Sequence, residues 1–145
     1  MRTLIYTTMI LLIAMISCEE NDDALSSVPL DKEFEVRWDR EYVIDSGLSF
    51  TINETKDSRC PKGVLCIWAG EATVWLTMLD SKKLTTDNQS TLKLKNTEPK
   101  TQRYKQYMFE LIDVLPYPEI EKDYSKKDIR VVLKVTQTDM RKSIH

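Results

Sequence analysis

Three cysteines, one histidine and 23 carboxylates are the residues of this 145-residue chain whose types could do chemistry. Cys60 and Cys66 frame the run Cys60-Pro61-Lys62-Gly63-Val64-Leu65-Cys66, and thiols at that spacing have three uses: a structural disulfide, a redox pair, or half of a zinc site. Pro61 and Gly63 favour a tight turn that brings the two ends together, which suits a disulfide. Redox pairs favour two intervening residues at a helix start, where the thiol pKa is depressed; here the flanks read as strands and the spacing is wider. Two sulfurs without a nearby histidine supply half of a tetrahedral zinc site, so no metal is expected. The single histidine, His145, closes the chain, where segments fray. That leaves Ser-His-Asp and Cys-His constellations without a base. Only three glycines occur, none in a phosphate-binding loop. A glycosidase-type carboxylate pair is available by count alone, with no pattern placing two acids in a cleft. The reading is a non-enzyme without a cofactor.

The third sulfur has a different setting. Met1-Arg2-Thr3 carries one positive charge and leads into the apolar run Leu4 to Ile16, interrupted by Thr7 and Thr8. A membrane-crossing helix needs about 20 apolar residues, so this run has the proportions of a signal-peptide core, and residues 1–17 are read as a signal peptide. Ser17-Cys18 follows where the apolar run stops. Met15-Ile16-Ser17-Cys18 resembles the bacterial lipobox, with Met15 and Ile16 in place of the usual leucine and small residue. The resemblance implies that Cys18 is linked to diacylglycerol and becomes the new N-terminus. The expected localisation is then the cell envelope, lipid-anchored at the outer membrane, facing the periplasm or the surface. Glu19, Glu20, Asp22 and Asp23 come next and open a polar tether over residues 18–32, with Ser26, Ser27 and Pro29. Acids at that place resemble the surface-export signal of Bacteroidetes lipoproteins; a solvated spacer reads the same way.

If Cys18 is lipidated, Cys60 and Cys66 remain as an even pair in a compartment that permits disulfides. A structural disulfide between them is the expectation, worth roughly 2–2.5 kcal/mol by loop entropy. The mature chain carries 20 basic against 23 acidic residues. That balance argues against nucleic-acid binding, which needs a concentrated basic face. Lys82-Lys83 and Lys126-Lys127 read as solvated turns.

The elements that must position the cysteine loop read as strands throughout. Apolar and polar residues alternate at Phe34–Trp38, Leu48–Ile52, Ala72–Met78, Leu92–Leu94 and Ile129–Val135, which sends one set of side chains to a core and the other to water. Tyr107 to Leu115 is apolar on both faces apart from Glu110 and Asp113, as a central strand would be, and Pro116-Tyr117-Pro118 ends it. Tyr42–Ile44 adds a short strand, turned back at Asp39-Arg40, and a single helical turn is allowed near 119–124. The expected fold is all-β: a small antiparallel β-sandwich of six to seven strands over residues 33–138, with a barrel as runner-up and a frayed tail at 139–145.

The most distinctive stretch runs from Asp57 to Ala72. Asp57-Ser58-Arg59-Cys60-Pro61, Val64, Cys66 and Trp68-Ala69-Gly70 with Ala72 resemble the D-S-R-C-P-x-x-V-x-C-x-W-A-G-x-A signature of small secreted or lipid-anchored bacterial β-domains, mostly uncharacterised. The likeness continues more loosely through Leu111, Pro116-Tyr117-Pro118 and Tyr124. It implies a shared architecture and a disulfide-closed loop, and no activity. On physical grounds Asp57 and Ser58 bond turn amides, Arg59 pairs with Asp57 or Glu71, and Trp68 packs over the disulfide. The functional alternative makes Asp57, Ser58, Arg59 and Trp68 a recognition loop, because a rigid cross-linked loop binds at low entropic cost.

Two classes of function follow. The leading one is a binding module, contacting an envelope protein or a glycan through the loop or through an outward ring such as Trp75; a protease-inhibitor-like loop is one version. The other is a structural or envelope-accessory lipoprotein. An exposed apolar or aromatic patch beside the disulfide loop favours the first, a charged and featureless surface the second.

Overall fold

The structure, a computed structural model, describes residues 25–82 and 89–138. The expected signal peptide 1–17, Cys18, the first part of the tether and the tail 139–145 lie outside the described residues.

Where apolar residues alternate, strands form with one face buried. In chain order they are β1 (Ser26–Ser27), β2 (Glu33–Val36), β3 (Tyr42–Asp45), β4 (Leu48–Asp57), β5 (Ala72–Asp80), β6 (Gln89–Lys95), β7 (Thr101–Tyr104), β8 (Tyr107–Leu115) and β9 (Arg130–Gln137). They build a five-stranded sheet, ordered β1-β3-β4-β5-β6, and a four-stranded sheet, ordered β2-β9-β8-β7. The expected β-sandwich is the observed architecture, and the sheets do not close into a barrel. Among these strands all pairings are antiparallel except that of β1 with β3.

The alternation places the core between the sheets. Ala72, Val74, Leu76 and Met78 of β5 and Val131, Leu133 and Val135 of β9 have no exposed surface. Phe50 of one sheet meets Phe109 of the other edge-on, centroids 5.8 Å apart, the arrangement that ring quadrupoles favour. β8 is an inner strand of its sheet, as its apolar run implies.

Nine strands are present among the described residues, where six to seven were expected. The additions, β1 and β7, are short and polar, so they carry no apolar alternation to read. β1 also shows that packed chain begins upstream of residue 33. Val28 is buried in the core and donates its N–H to Val43, and Leu30 bridges Val135. Trp38, expected as an inward strand residue, lies just beyond β2, half-buried against the core with the Lys126 ammonium 4.5 Å from its ring. Residues 119–124 form a turn at Ile120–Glu121, and no helix occurs among the described residues.

The registers fix two ends. The connections β2–β3, β4–β5, β6–β7 and β8–β9 lie at one, and the β3–β4 and β7–β8 turns at the other. The cysteine loop is the β4–β5 connection.

Candidate functional site

The loop 58–71 rises from two strands that keep pairing beyond their ends. Ser58 donates its N–H to the Glu71 carbonyl at 2.9 Å, and Cys60 donates to Ala69 at 2.9 Å. The Ser58 hydroxyl donates to the same Glu71 carbonyl and accepts the Glu71 N–H. Gly70 makes this approach possible. Its φ is +69°, and a Cβ there would sit 1.8 Å from the Ser58 carbonyl oxygen, so only glycine fits.

Arg59 is the keystone. It is 6% exposed. Its guanidinium holds both carboxylate oxygens of Asp57, donates to Asp113 Oδ1 at 2.6 Å and to the Val114 carbonyl at 2.5 Å, and lies 4.4 Å from the centre of the Tyr117 ring. Burial opposes the charge, but the bonds and ion pairs with Asp57 and Asp113 outweigh it and raise the pKa further. The group is a permanent cation tying the loop base to β8 of the opposite sheet. Lys62 adds a second tie, its N–H donating to the Pro118 carbonyl at 3.0 Å.

Above this base the chain turns. Cys60 and Cys66 form the expected disulfide, with Cα atoms 5.9 Å apart. Gly63 supplies the positive φ of the turn at +82°, and Val64 donates to the Pro61 carbonyl. The tip then faces water: Leu65 is 102% exposed, Ile67 94% and Trp68 81%. Val64 is also exposed, and Ile120 beside Glu119, the bridge partner of Lys62, is exposed too. Of the six exposed large hydrophobics among the described residues, five therefore sit at this end.

Two sequence readings are corrected here. Trp68 does not pack over the disulfide. The cross-linked turn projects past the ends of both sheets, so no layer receives the indole. Arg59 is buried and is no exposed surface pair. Its partners are Asp57 and Asp113, and Glu71 pairs instead with Lys95 at 2.7 Å and with Thr97, which together lower its pKa. Of the proposed recognition residues, Asp57 and Arg59 build the base, Ser58 closes the ladder, and Trp68 alone is presented at the tip. Sequence reasoning missed Leu65, Ile67, Asp113 and Tyr117. Leu65 and Ile67 were legible as apolar residues inside a turn, where polar ones are usual. Trp75, the other candidate ring, is half-buried under Lys93.

A pocket of about 230 Å³ lies beside the loop base, lined by Thr55, Asp57, Val114, Pro116, Lys122 and Tyr124 among others. Its one carboxylate, Asp57, is occupied by Arg59. No cluster of three or more metal-ligating side chains occurs among the described residues. No family model, curated protein or solved structure matches the chain.

Proposed function

We propose that this chain is a lipid-anchored envelope lipoprotein whose β-sandwich is a non-catalytic binding module, making contact through the tip of its disulfide loop. The observation that carries the reading is the pairing of a rigid base with an apolar tip. Leu65, Ile67 and Trp68 stand in water on a turn fixed by a disulfide, a backbone ladder and the buried Arg59. Exposed apolar side chains gathered at one place mark an interaction surface. Holding them in one conformation lowers the ordering cost of binding. A charged, featureless loop end would have suited an accessory lipoprotein better. Glycan stacking on Trp68 is less well supported, because its neighbours at the tip are aliphatic and lack the hydrogen-bonding groups a sugar needs.

The reading assigns anchoring to Cys18 and contact to the loop. Palmitate labelling of the wild-type protein, lost in Cys18→Ser, tests the anchor. Co-sedimentation of the unlipidated Cys18→Ser chain with isolated envelope tests the contact. Binding should fall at least about tenfold in Leu65→Ser/Trp68→Ser, as removal of two buried apolar side chains demands. Equal binding by both proteins sinks the contact surface.

A further inference from the structure

We propose that the tip of the disulfide loop inserts into the lipid surface to which the chain is tethered, so that Leu65, Ile67 and Trp68 form a second membrane contact beside the acyl anchor. The inference rests on the reading of Cys18 as the anchor and names the occupant of the contact surface proposed above.

Three features point to lipid. First, the chemistry of the tip is that of a bilayer interface. Between Ser58 and Gly70 there is no acidic residue; two aliphatic side chains and a tryptophan lead, with Lys62 behind them. Tryptophan settles at the headgroup level, aliphatic side chains lie below it, and a lysine stays at the polar boundary.

Second, part of the loop backbone is already paired, which lowers the cost of insertion. The Cys60 and Val64 N–H groups are bonded within the loop, which matters where water is scarce.

Third, the tether reaches. β1 pairs with β3 in parallel, Ser26 opposite Tyr42, and Tyr42 is opposite Phe50 of β4. β3 runs away from the loop end, so Leu25 enters β1 from the loop side. The rise along β4 from Phe50 to Asp57 is roughly 23 Å at strand spacing. Residues 18–24 number seven and span at most roughly 24 Å. Because the cross-linked tip stands beyond Asp57, the anchor and the tip meet one plane only with residues 18–24 near their full span and the sandwich tilted toward its β1 edge. A short tether makes the second contact effectively intramolecular.

The test uses the lipidated full-length protein in vesicles of phosphatidylcholine and phosphatidylethanolamine. A Trp38→Phe/Trp75→Phe background leaves Trp68 as reporter. The expected result is a blue-shifted Trp68 emission, quenched by lipids spin-labelled near the headgroup, with both effects lost in Leu65→Ser/Ile67→Ser. Unchanged near-ultraviolet circular dichroism verifies that this variant is folded. A second readout is flotation of the unlipidated Cys18→Ser chain, weakened about tenfold by each serine. Trp68 emission that stays red and unquenched overturns the inference. If envelope protein added to those vesicles then protects Trp68, the tip binds a protein, and only the lipid assignment falls. If Trp68 stays open to aqueous iodide there too, the binding-module reading falls with it. Absence of an acyl group on Cys18 by intact mass removes the premise and the inference together.

Discussion

Arg59 and Asp113 stand 54 residues apart in sequence and 2.6 Å apart in space, joining the end of β4 in one sheet to β8 in the other. The Arg59 side chain is 5% exposed, while those of Asp57 and Asp113 are 23% and 41% exposed. Removing a buried partner strands the charges that remain, and partial solvation of both acids moderates the loss. Arg59→Met is expected to cost about 2–3 kcal/mol, and Asp113→Asn about 1 kcal/mol or less. Arg59→Lys should recover little, because a lysine cannot serve three acceptors with the fork geometry. Urea denaturation at neutral pH checks the order, which the reading requires to be Met, then Lys, then Asn.

Much of the fold was legible because its causes are local. β5 and β9 bury every second residue, and the sequence alternates accordingly. The disulfide was legible from the even pair around Pro61 and Gly63. The pairing of Arg59 with Asp57 was legible because the two are near in sequence, whereas Asp113, Val114 and Tyr117 become its neighbours only when the sheets stack. β7 was missed because an edge strand exposed at Thr101, Gln102 and Arg103 shows no apolar period, Tyr104 alone leaning on the core. Trp68 was misplaced by its residue type: tryptophan usually finds a core, and nothing local tells that the turn outruns both sheets.

The two positive-φ glycines of the loop should respond differently to alanine. At Gly63 a Cβ meets nothing within 4 Å, so Gly63→Ala costs only the left-handed conformation, about 1–2 kcal/mol. At Gly70 the same Cβ collides with backbone of Ser58 and Arg59. Relieving that clash must open the Ser58–Glu71 ladder and disturb Arg59, so Gly70→Ala should cost about 3 kcal/mol or more. Thermal melts of the two variants side by side decide this. Equal melting temperatures would show that the ladder is not required.

The opposite end of the sandwich carries its own cross-sheet link and a pH dependence. The buried Tyr107 hydroxyl of β8 donates to Asp45 Oδ2 of β3 at 2.9 Å. Burial raises the Asp45 pKa, but the Gly47 N–H, the Tyr107 hydroxyl and Lys82 more than reverse this, so it ends below its ordinary value of 3.8. A carboxylate with a depressed folded pKa stabilises above its unfolded value, and that contribution is lost as pH falls below about 3.8 and through the folded pKa. Tyr107 behaves oppositely. Burial first, and the Asp45 bond second, raise it above 10.0, so its contribution is present below pH 10 and lost as pH rises beyond it. Tyr107→Phe should remove about 1–2 kcal/mol at neutral pH and flatten both limbs. Stability measured by urea denaturation across pH checks it; an unchanged acid limb in Asp45→Asn would assign acid sensitivity elsewhere.

The disulfide and Arg59 divide the work of holding the loop, and reduction separates them. A cross-link closing so short a loop contributes about 2 kcal/mol by chain entropy, so Cys60→Ser/Cys66→Ser should lower the melting temperature by roughly 10 °C for a domain of this size. The Ser58–Glu71 pairing and the Arg59 bonds lie below the cross-link and survive its loss. What loosens is the tip, where the Lys62–Pro118 and Val64–Pro61 bonds are the backbone ties left between the two cysteines. Hydrogen exchange should therefore quicken at Val64 and its neighbours and stay slow along β4 and β5. Contact through Leu65, Ile67 and Trp68 should weaken although those side chains are intact, because their ordering cost now falls on binding. Exchange that quickened equally throughout both sheets would mean that the cross-link supports the fold as a whole rather than the surface it presents.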